Sequence, residues 1–217
     1  MAVGAAATPL DPLELAAHGP VIPVIVLGQA EHALPMARAL FEGGVRVLEV
    51  TLRTPAALKA IAAISTSLPD VIVGAGTVRS GDDARAALAA GARFAVSPGW
   101  SPRVAAACRE MGLALLPGVA SASEIMAAAE AGFRFLKFFP AGAAGGVAML
   151  KAWASPFADI VFCPTGGISA ASAPDYLALA NVRVVGGSWL TPADALAAAD
   201  WPRIEALARE ASSLATK

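Results

Sequence analysis

Lysine is scarce in this chain of 217 residues, with four in all at Lys59, Lys137, Lys151 and Lys217. Lys59 and Lys151 fall on helical stretches and Lys217 is the last residue. That leaves Lys137 alone inside an apolar run, Phe135-Leu136-Lys137-Phe138-Phe139-Pro140. A buried ammonium is expensive to desolvate. Burial pushes a lysine down from ~10.4 toward neutrality, which gives the uncharged amine that attacks a carbonyl. The competing reading is a lysine that snorkels to the rim or pairs with a carboxylate. A second run, Val47-Leu48-Glu49-Val50-Thr51-Leu52-Arg53, sets Glu49, Thr51 and Arg53 on one face of a strand, alternating with Val50 and Leu52. A carboxylate, a hydroxyl and a guanidinium on a buried strand are costly unless they serve each other or a ligand. The competing reading here is an internal Glu–Arg pair that ties the strand end to a helix.

Glycines mark other strand ends. Gly74-Ala75-Gly76-Thr77 fails as a dinucleotide fingerprint, because Arg79 stands where the third glycine belongs. Its glycines suit close approach of a ligand or a neighbouring side chain, with Thr77 offering a hydroxyl. Ser97-Pro98-Gly99 reads as a tight turn. Thr165-Gly166-Gly167 and Gly186-Gly187-Ser188 follow the last two apolar runs. In a barrel, the loops after strands seven and eight commonly bind phosphate through exposed backbone N–H groups. His18 and His32 lie outside the strand ends, and two histidines cannot supply a three-His zinc site. Asp82 and Asp83 read as helix-start charges, and Cys163 as a small buried apolar residue.

These residues need a scaffold, and the pattern supplies one. Eight runs rich in Val, Ile, Leu and Phe recur at near-even spacing: 21–27, 45–52, 71–78, 94–98, 114–119, 135–140, 160–166 and 182–190. Alanine-rich segments of helical period separate them, such as 31–43, 55–68, 81–91, 102–112 and 121–132. Gly43, Gly91, Gly112 and Gly132 close helical segments, where a left-handed C-terminal cap is usual. Asp82 and Ser101 stand where an N-cap is expected. Alternating strands and helices give a parallel sheet, either a closed (β/α)₈ TIM barrel or an open doubly wound sheet. Eight even units with no longer crossover favour the barrel. The spacing predicts one domain over 1–217, with an N-terminal extension in 1–19 whose Asp11–His18 segment forms a short helix over the barrel bottom.

Composition excludes other classes. The chain is 57% hydrophobic with a mean hydropathy of +0.63. Yet the longest stretch free of Asp, Glu, Lys and Arg, Leu15 to Ala30, is interrupted by His18, Gly19, Pro20 and Pro23. A spanning helix needs ~20 apolar residues, so no membrane span is expected. A net charge of −1 without a basic block argues against nucleic acid as partner. Two cysteines are too few for a disulfide scaffold. Met1 to Pro12 lacks the pattern of a signal peptide, and the cytoplasm is the expected compartment.

Together these motifs resemble the bacterial class I family of 2-keto-3-deoxy-6-phosphogluconate (KDPG) aldolase, which includes 4-hydroxy-2-oxoglutarate (KHG) aldolase. The resemblance runs from about Gly19 to Arg209. It rests on Leu48 through Arg53, Gly74 through Thr77, Ser97-Pro98-Gly99, Phe135 through Pro140, Pro164-Thr165-Gly166-Gly167 and Gly186-Gly187-Ser188, in the family's order. It implies a (β/α)₈ barrel, a homotrimer, no metal or other cofactor, and a small phosphorylated keto acid as substrate. Lys137 would be the Schiff-base lysine and Glu49 the acid/base. Arg53 and Thr77 would hold the substrate carboxylate, with Pro98 and Phe139 around the pyruvyl portion. The phosphate would lie against Gly166, Gly167, Gly187 and Ser188, and Thr165 is similar to the phosphogluconate branch. The implied reaction is retro-aldol cleavage through an iminium. Gly142, where many members carry glutamate, and Trp100, where a smaller residue is usual, depart from the pattern. The alternative from a different class is a barrel kept for assembly or ligand binding without turnover.

Overall fold

The computed structural model describes residues 10–215. The first nine residues of the expected N-terminal extension, and Lys217, lie outside the described residues. A 3-10 helix, Pro12–His18, opens the fold, with the Asp11 carboxylate accepting from Leu13 N at 2.9 Å. The strands are β1 (Val21–Ile25), β2 (Val47–Thr51), β3 (Ile72–Gly76), β4 (Phe94–Val96), β5 (Ala114–Leu116), β6 (Gly118–Val119), β7 (Phe135–Phe138), β8 (Val161–Pro164) and β9 (Val185–Gly187). The α-helices are α1 (Ala33–Glu42), α2 (Ala57–Ser67), α3 (Gly81–Ala89), α4 (Pro102–Glu110), α5 (Ala122–Glu130), α6 (Gly146–Trp153), α7 (Ala173–Leu177), α8 (Ala193–Ala197) and α9 (Trp201–Ser212). Every strand falls inside an expected apolar run. Among the described residues no helix is long and apolar enough to cross a membrane.

All the strand pairings are parallel, in the order β5-β4-β3-β2-β1-β9 in a six-stranded sheet and β6-β7-β8 in a three-stranded one. The expected eight continuous strands are therefore a coarser arrangement of two parallel sheets. The fifth run is divided at Pro117, which has no N–H to give to a ladder. Its carbonyl still accepts from Lys137 N at 2.9 Å. Isolated bridges pair Phe162 with Val182 and Thr165 with Gly186.

Three successive helices share one construction. Ser80, Ser101 and Ser121 cap α3, α4 and α5, each side chain accepting from the N–H three residues on. Gly91, Gly112 and Gly132 leave them at φ 88°, 66° and 95°. Two expectations need correction. The α3 cap is Ser80, whose extended backbone offers its hydroxyl, while Asp82 lies in the first turn and pairs with Arg85. Gly43 is right-handed, and the left-handed residue is Gly44 at φ 94°. Gly43 is needed for packing, because a Cβ there would collide with Ala208 on α9.

Side chains alternate between the two faces of each strand. In β2, Leu48 and Val50 join the core shared with the helices, while Val47 belongs to a second cluster. That inner cluster also holds Ile22, Ile72, Phe94, Leu116, Phe135 and Cys163, and is closed from below by Leu15 of the 3-10 helix, 1% exposed. Glu49 and Lys137 continue the inner face of β2 and β7 beyond Val47 and Phe135. The segment expected to cover the bottom thus does so, with Leu15 buried and Ala16 packed beside it. Leu15→Ala is expected to cost about 2–5 kcal/mol through the cavity it leaves, seen as a lower urea midpoint with an unchanged slope.

Candidate active site

Lys137 Nζ lies 3.2 Å from Glu49 Oε1, with the two side chains 4% and 3% exposed. They arrive from separate sheets. In the ladders Lys137 sits between Gly118 of β6 and Cys163 of β8, and Glu49 between Val24 of β1 and Gly74 of β3. Room for the carboxylate comes from missing side chains: a Cβ on Gly76 would collide with Glu49 Oε1. The Phe139 ring centroid stands 5.2 Å from Lys137 Nζ, within range for a cation–π contact. Of the competing sequence readings, the one that pairs Lys137 with a carboxylate holds, and the carboxylate is Glu49. Lys137 does not snorkel to the rim, and Glu49 pairs with Lys137 rather than Arg53. A carboxylate–amine pair of this kind can pass protons while the amine reacts with a carbonyl.

Arg53, exposed in the turn after β2, donates through Nε to Thr77 Oγ1 at 2.9 Å. Thr77 holds φ at 61°, a strained position for a β-branched residue. Thr51, grouped with Glu49 and Arg53 by alternation, is spent on structure: its hydroxyl donates to Ile25 O at 2.8 Å. Thr54 does the same to Leu27 O at 2.6 Å. These two bonds fasten the ends of β1 and β2 together.

A cavity of about 210 Å³ opens at the C-terminal ends of the strands, lined by Val24, Val26, Arg53, Phe139, Thr165, Gly166, Gly167, Ile168, Gly186 and Ser188. Gly166 and Gly167 are left-handed at φ 96° and 75°. Thr165 is buried, its Oγ1 donating to Cys163 O at 3.3 Å, and a Cβ on Gly186 would collide with it. Ser188 is exposed at the rim. Gly187 does not line this cavity, and the space a side chain would take there is filled by the Trp189 indole. Pro98 is half-buried on a turn held by Ser97 Oγ, which donates to Gly99 O at 2.9 Å and accepts from Gly118 N at 3.3 Å. Its backbone packs on Gly118, the ladder neighbour of Lys137. So Arg53, Phe139, Thr165, Gly166, Gly167 and Ser188 share the cavity, Lys137 and Glu49 form the buried pair, and Thr77 joins through Arg53. Pro98 reaches the site only through Gly118, and Gly187 stands apart.

Of the two departures from the family pattern, Gly142 N donates to Gly166 O at 2.9 Å, and Trp100 packs edge-on against Phe133 at 5.6 Å, away from the cavity lining. Sequence reasoning passed over Val24 and Val26, which looked like ordinary strand residues. Among the described residues, no three His, Cys, Asp or Glu side chains gather as a metal-ligating group. A larger cavity of about 400 Å³ lies at the opposite strand ends, beside Leu113, Ala114 and Phe135, and holds none of these groups.

Burial pushes the Cys163 thiol up to about 12 and Cys108 to about 11, from an ordinary 9.0. Nearby Lys137 opposes the shift at Cys163 without cancelling it. Both thiols are expected to resist a thiol reagent at pH 8 until urea unfolds the chain. Unfolded thiols ionise at lower pH than folded ones, so stability falls as pH rises above about 9. Gly76→Ala should displace the Glu49 carboxylate and lower turnover about 10²-fold, measured as kcat in a steady-state assay.

The family described as KDPG and KHG aldolase matches residues 14–207. The chain is 53% identical to 2-dehydro-3-deoxy-phosphogluconate aldolase of Pseudoalteromonas atlantica over 194 residues, covering 89% of this chain and 90% of that one. It is 54% identical to the KHG/KDPG aldolase of Escherichia coli K12, covering 89% and 91%. Among solved structures, KDPG aldolase from Legionella pneumophila, with pyruvate captured as a covalent carbinolamine, superposes with a TM-score of 0.92 at 48% identity, covering 94% of this chain and 99% of that one. The buried amine–carboxylate pair sits in a chain that belongs to the KDPG and KHG aldolase family.

Proposed function

We propose that this chain is a Schiff-base aldolase that cleaves 2-dehydro-3-deoxy-6-phospho-D-gluconate to pyruvate and D-glyceraldehyde 3-phosphate. The same site handles 4-hydroxy-2-oxoglutarate, giving pyruvate and glyoxylate. The observation that carries this reading is the 3.2 Å pairing of Lys137 Nζ with Glu49 Oε1 in the buried interior. Relatives at about half identity carry aldolase names, and the Legionella structure holds pyruvate as a covalent carbinolamine. A barrel kept only for assembly would have no use for such a pair.

Lys137 Nζ bonds to the keto carbon, and Glu49 relays two protons in turn from the nitrogen to the keto oxygen. Water leaves, and the resulting iminium is the electron sink. Glu49 then receives the proton of the 4-hydroxyl as the bond between carbons three and four breaks, its electron pair moving into an enamine. The aldehyde departs, carbon three is protonated, and water releases pyruvate from the lysine. Arg53, oriented by Thr77, holds the substrate carboxylate, with Phe139 and Pro98 around the pyruvyl portion. Gly166, Gly167 and Ser188 receive the phosphate, with Gly187 supporting them through backbone alone, and Thr165 bounds the polar chain between.

The two sheets read together as one closed (β/α)₈ barrel in a single domain. β5 and β6 are one strand interrupted at Pro117, and the bridges Phe162–Val182 and Thr165–Gly186 join β8 to the β9 segment. A homotrimer in the cytoplasm, acting without metal or other cofactor, completes the proposal.

Borohydride reduction in the presence of pyruvate should leave a pyruvate-derived adduct on Lys137. An unmodified intact mass at saturating pyruvate would overturn the assignment. Lys137→Ala should lose the adduct and all turnover through it. Glu49→Gln is expected to slow cleavage by about 10²–10⁴-fold, with pyruvate release as the readout.

A further inference from the structure

We propose that Val26 determines acceptor length: its side chain divides the depression at the open strand ends into two cavities and confines the reaction to one of them. The inference rests on the aldolase reading and assigns that site a second compartment. Val24 ends the inner face of β1 and Val26 begins the loop that leaves it, and both line the cavity of about 210 Å³. Val24 pairs with Glu49 in the ladder, and Val26 stands one step further toward solvent, 45% exposed. Among the described residues Val26 alone lines both the cavity of about 210 Å³ and a second one of about 230 Å³.

The second cavity belongs to the reactive end of the molecule. Its walls are the loop after β1, with Gly28, Gln29 and His32, and α8 after β9, with Ala193, Leu196 and Ala197. Both segments follow the C-terminal ends of their strands, where the cavity beside Arg53 and Phe139 also opens. The lining is mostly small or apolar, and Gln29 and His32 add polar atoms. The His32 ring is fixed edge-on against Trp201 at 5.3 Å between centroids. With a short acceptor and its phosphate seated at Gly166 and Gly167, nothing in the proposed reaction uses this second space. It fits the tail of an unphosphorylated straight-chain aldehyde. In that condensation the enamine carbon on Lys137 attacks the aldehyde carbon, and the carbonyl oxygen takes a proton from Glu49. Water then frees the new keto acid from the lysine. Val26 is the residue that the two cavities share, so it stands between such a tail and the second cavity in the proposed arrangement.

The test is condensation of pyruvate with propanal and with hexanal, read as the ratio of kcat/KM for the long aldehyde to that for the short one. In Val26→Ala the ratio should rise about tenfold, the order that a few methylenes contribute in an apolar pocket. In Val26→Leu it should fall. Adding Ala193→Leu to Val26→Ala refills the second cavity and should abolish the gain. An unchanged ratio in Val26→Ala, or a gain that survives Ala193→Leu, would overturn the proposal. Borohydride trapping of pyruvate on the unaltered chain separates the two claims. Absence of the Lys137 adduct sinks the aldolase reading itself, whereas an adduct with an unmoved ratio sinks only the role of Val26.

Discussion

One buried contact sets the terms for the rest of the molecule. Lys137 and Glu49 are charged, long, and almost wholly removed from water. Removing one partner of such a pair costs about 3–5 kcal/mol, because the other is left buried and uncompensated. Two strands from different sheets must therefore hold their ends in register, and the neighbouring positions must yield space. They do so by giving up side chains. Gly74 and Gly118 stand beside the two residues in the ladders, and Gly76 lies against the Glu49 carboxylate. Gly74 also admits the Phe94 ring, with which a Cβ would collide. The interior is shared out by size: two strands carry long polar chains, and glycines beside them leave the room those chains need.

Above this pair the chemistry changes character. The groups at the opening, Arg53 with Thr77 and the left-handed Gly166 and Gly167, are suited to anions and remain in contact with water. In the proposed reaction, recognition of charge sits at the surface, where an arginine keeps its hydration until a ligand replaces it. The Lys137–Glu49 pair sits where water is scarce and electrostatic attraction is strong. Thr51 and Thr54 fix β1 to β2 so that the two levels do not shift past each other.

Much of this was legible in the sequence, and the reason is contrast. One lysine between Leu136 and Phe138 is conspicuous because polar residues are costly in a buried strand, and every strand kept its place because apolar runs tolerate little displacement. The partner of Glu49 was not legible. Alternation says which residues share a face of one strand, and says nothing about which distant strand faces it. Thr51 shows the same limit, since its hydroxyl is used up by a carbonyl on β1. Nor does a pair of glycines announce that the Trp189 ring fills the side-chain space at Gly187. Ser80 and Gly44 displaced Asp82 and Gly43 by one or two residues, the ordinary uncertainty at helix ends. Pro117 was visible within its apolar run, and its missing N–H was the signal for the divided strand.

Leu15 has a consequence beyond stability. It belongs to the inner cluster with Ile22, Phe94 and Phe135 at the end away from the cavity beside Arg53, and the proposed reaction is served from that cavity alone. For the proposed cleavage, the fragment nearer solvent must leave before water can enter behind it. Departure order is then written into the shape of the molecule, with the aldehyde first, water next and pyruvate last. In the synthetic direction the queue reverses, and pyruvate has to be seated before the aldehyde arrives.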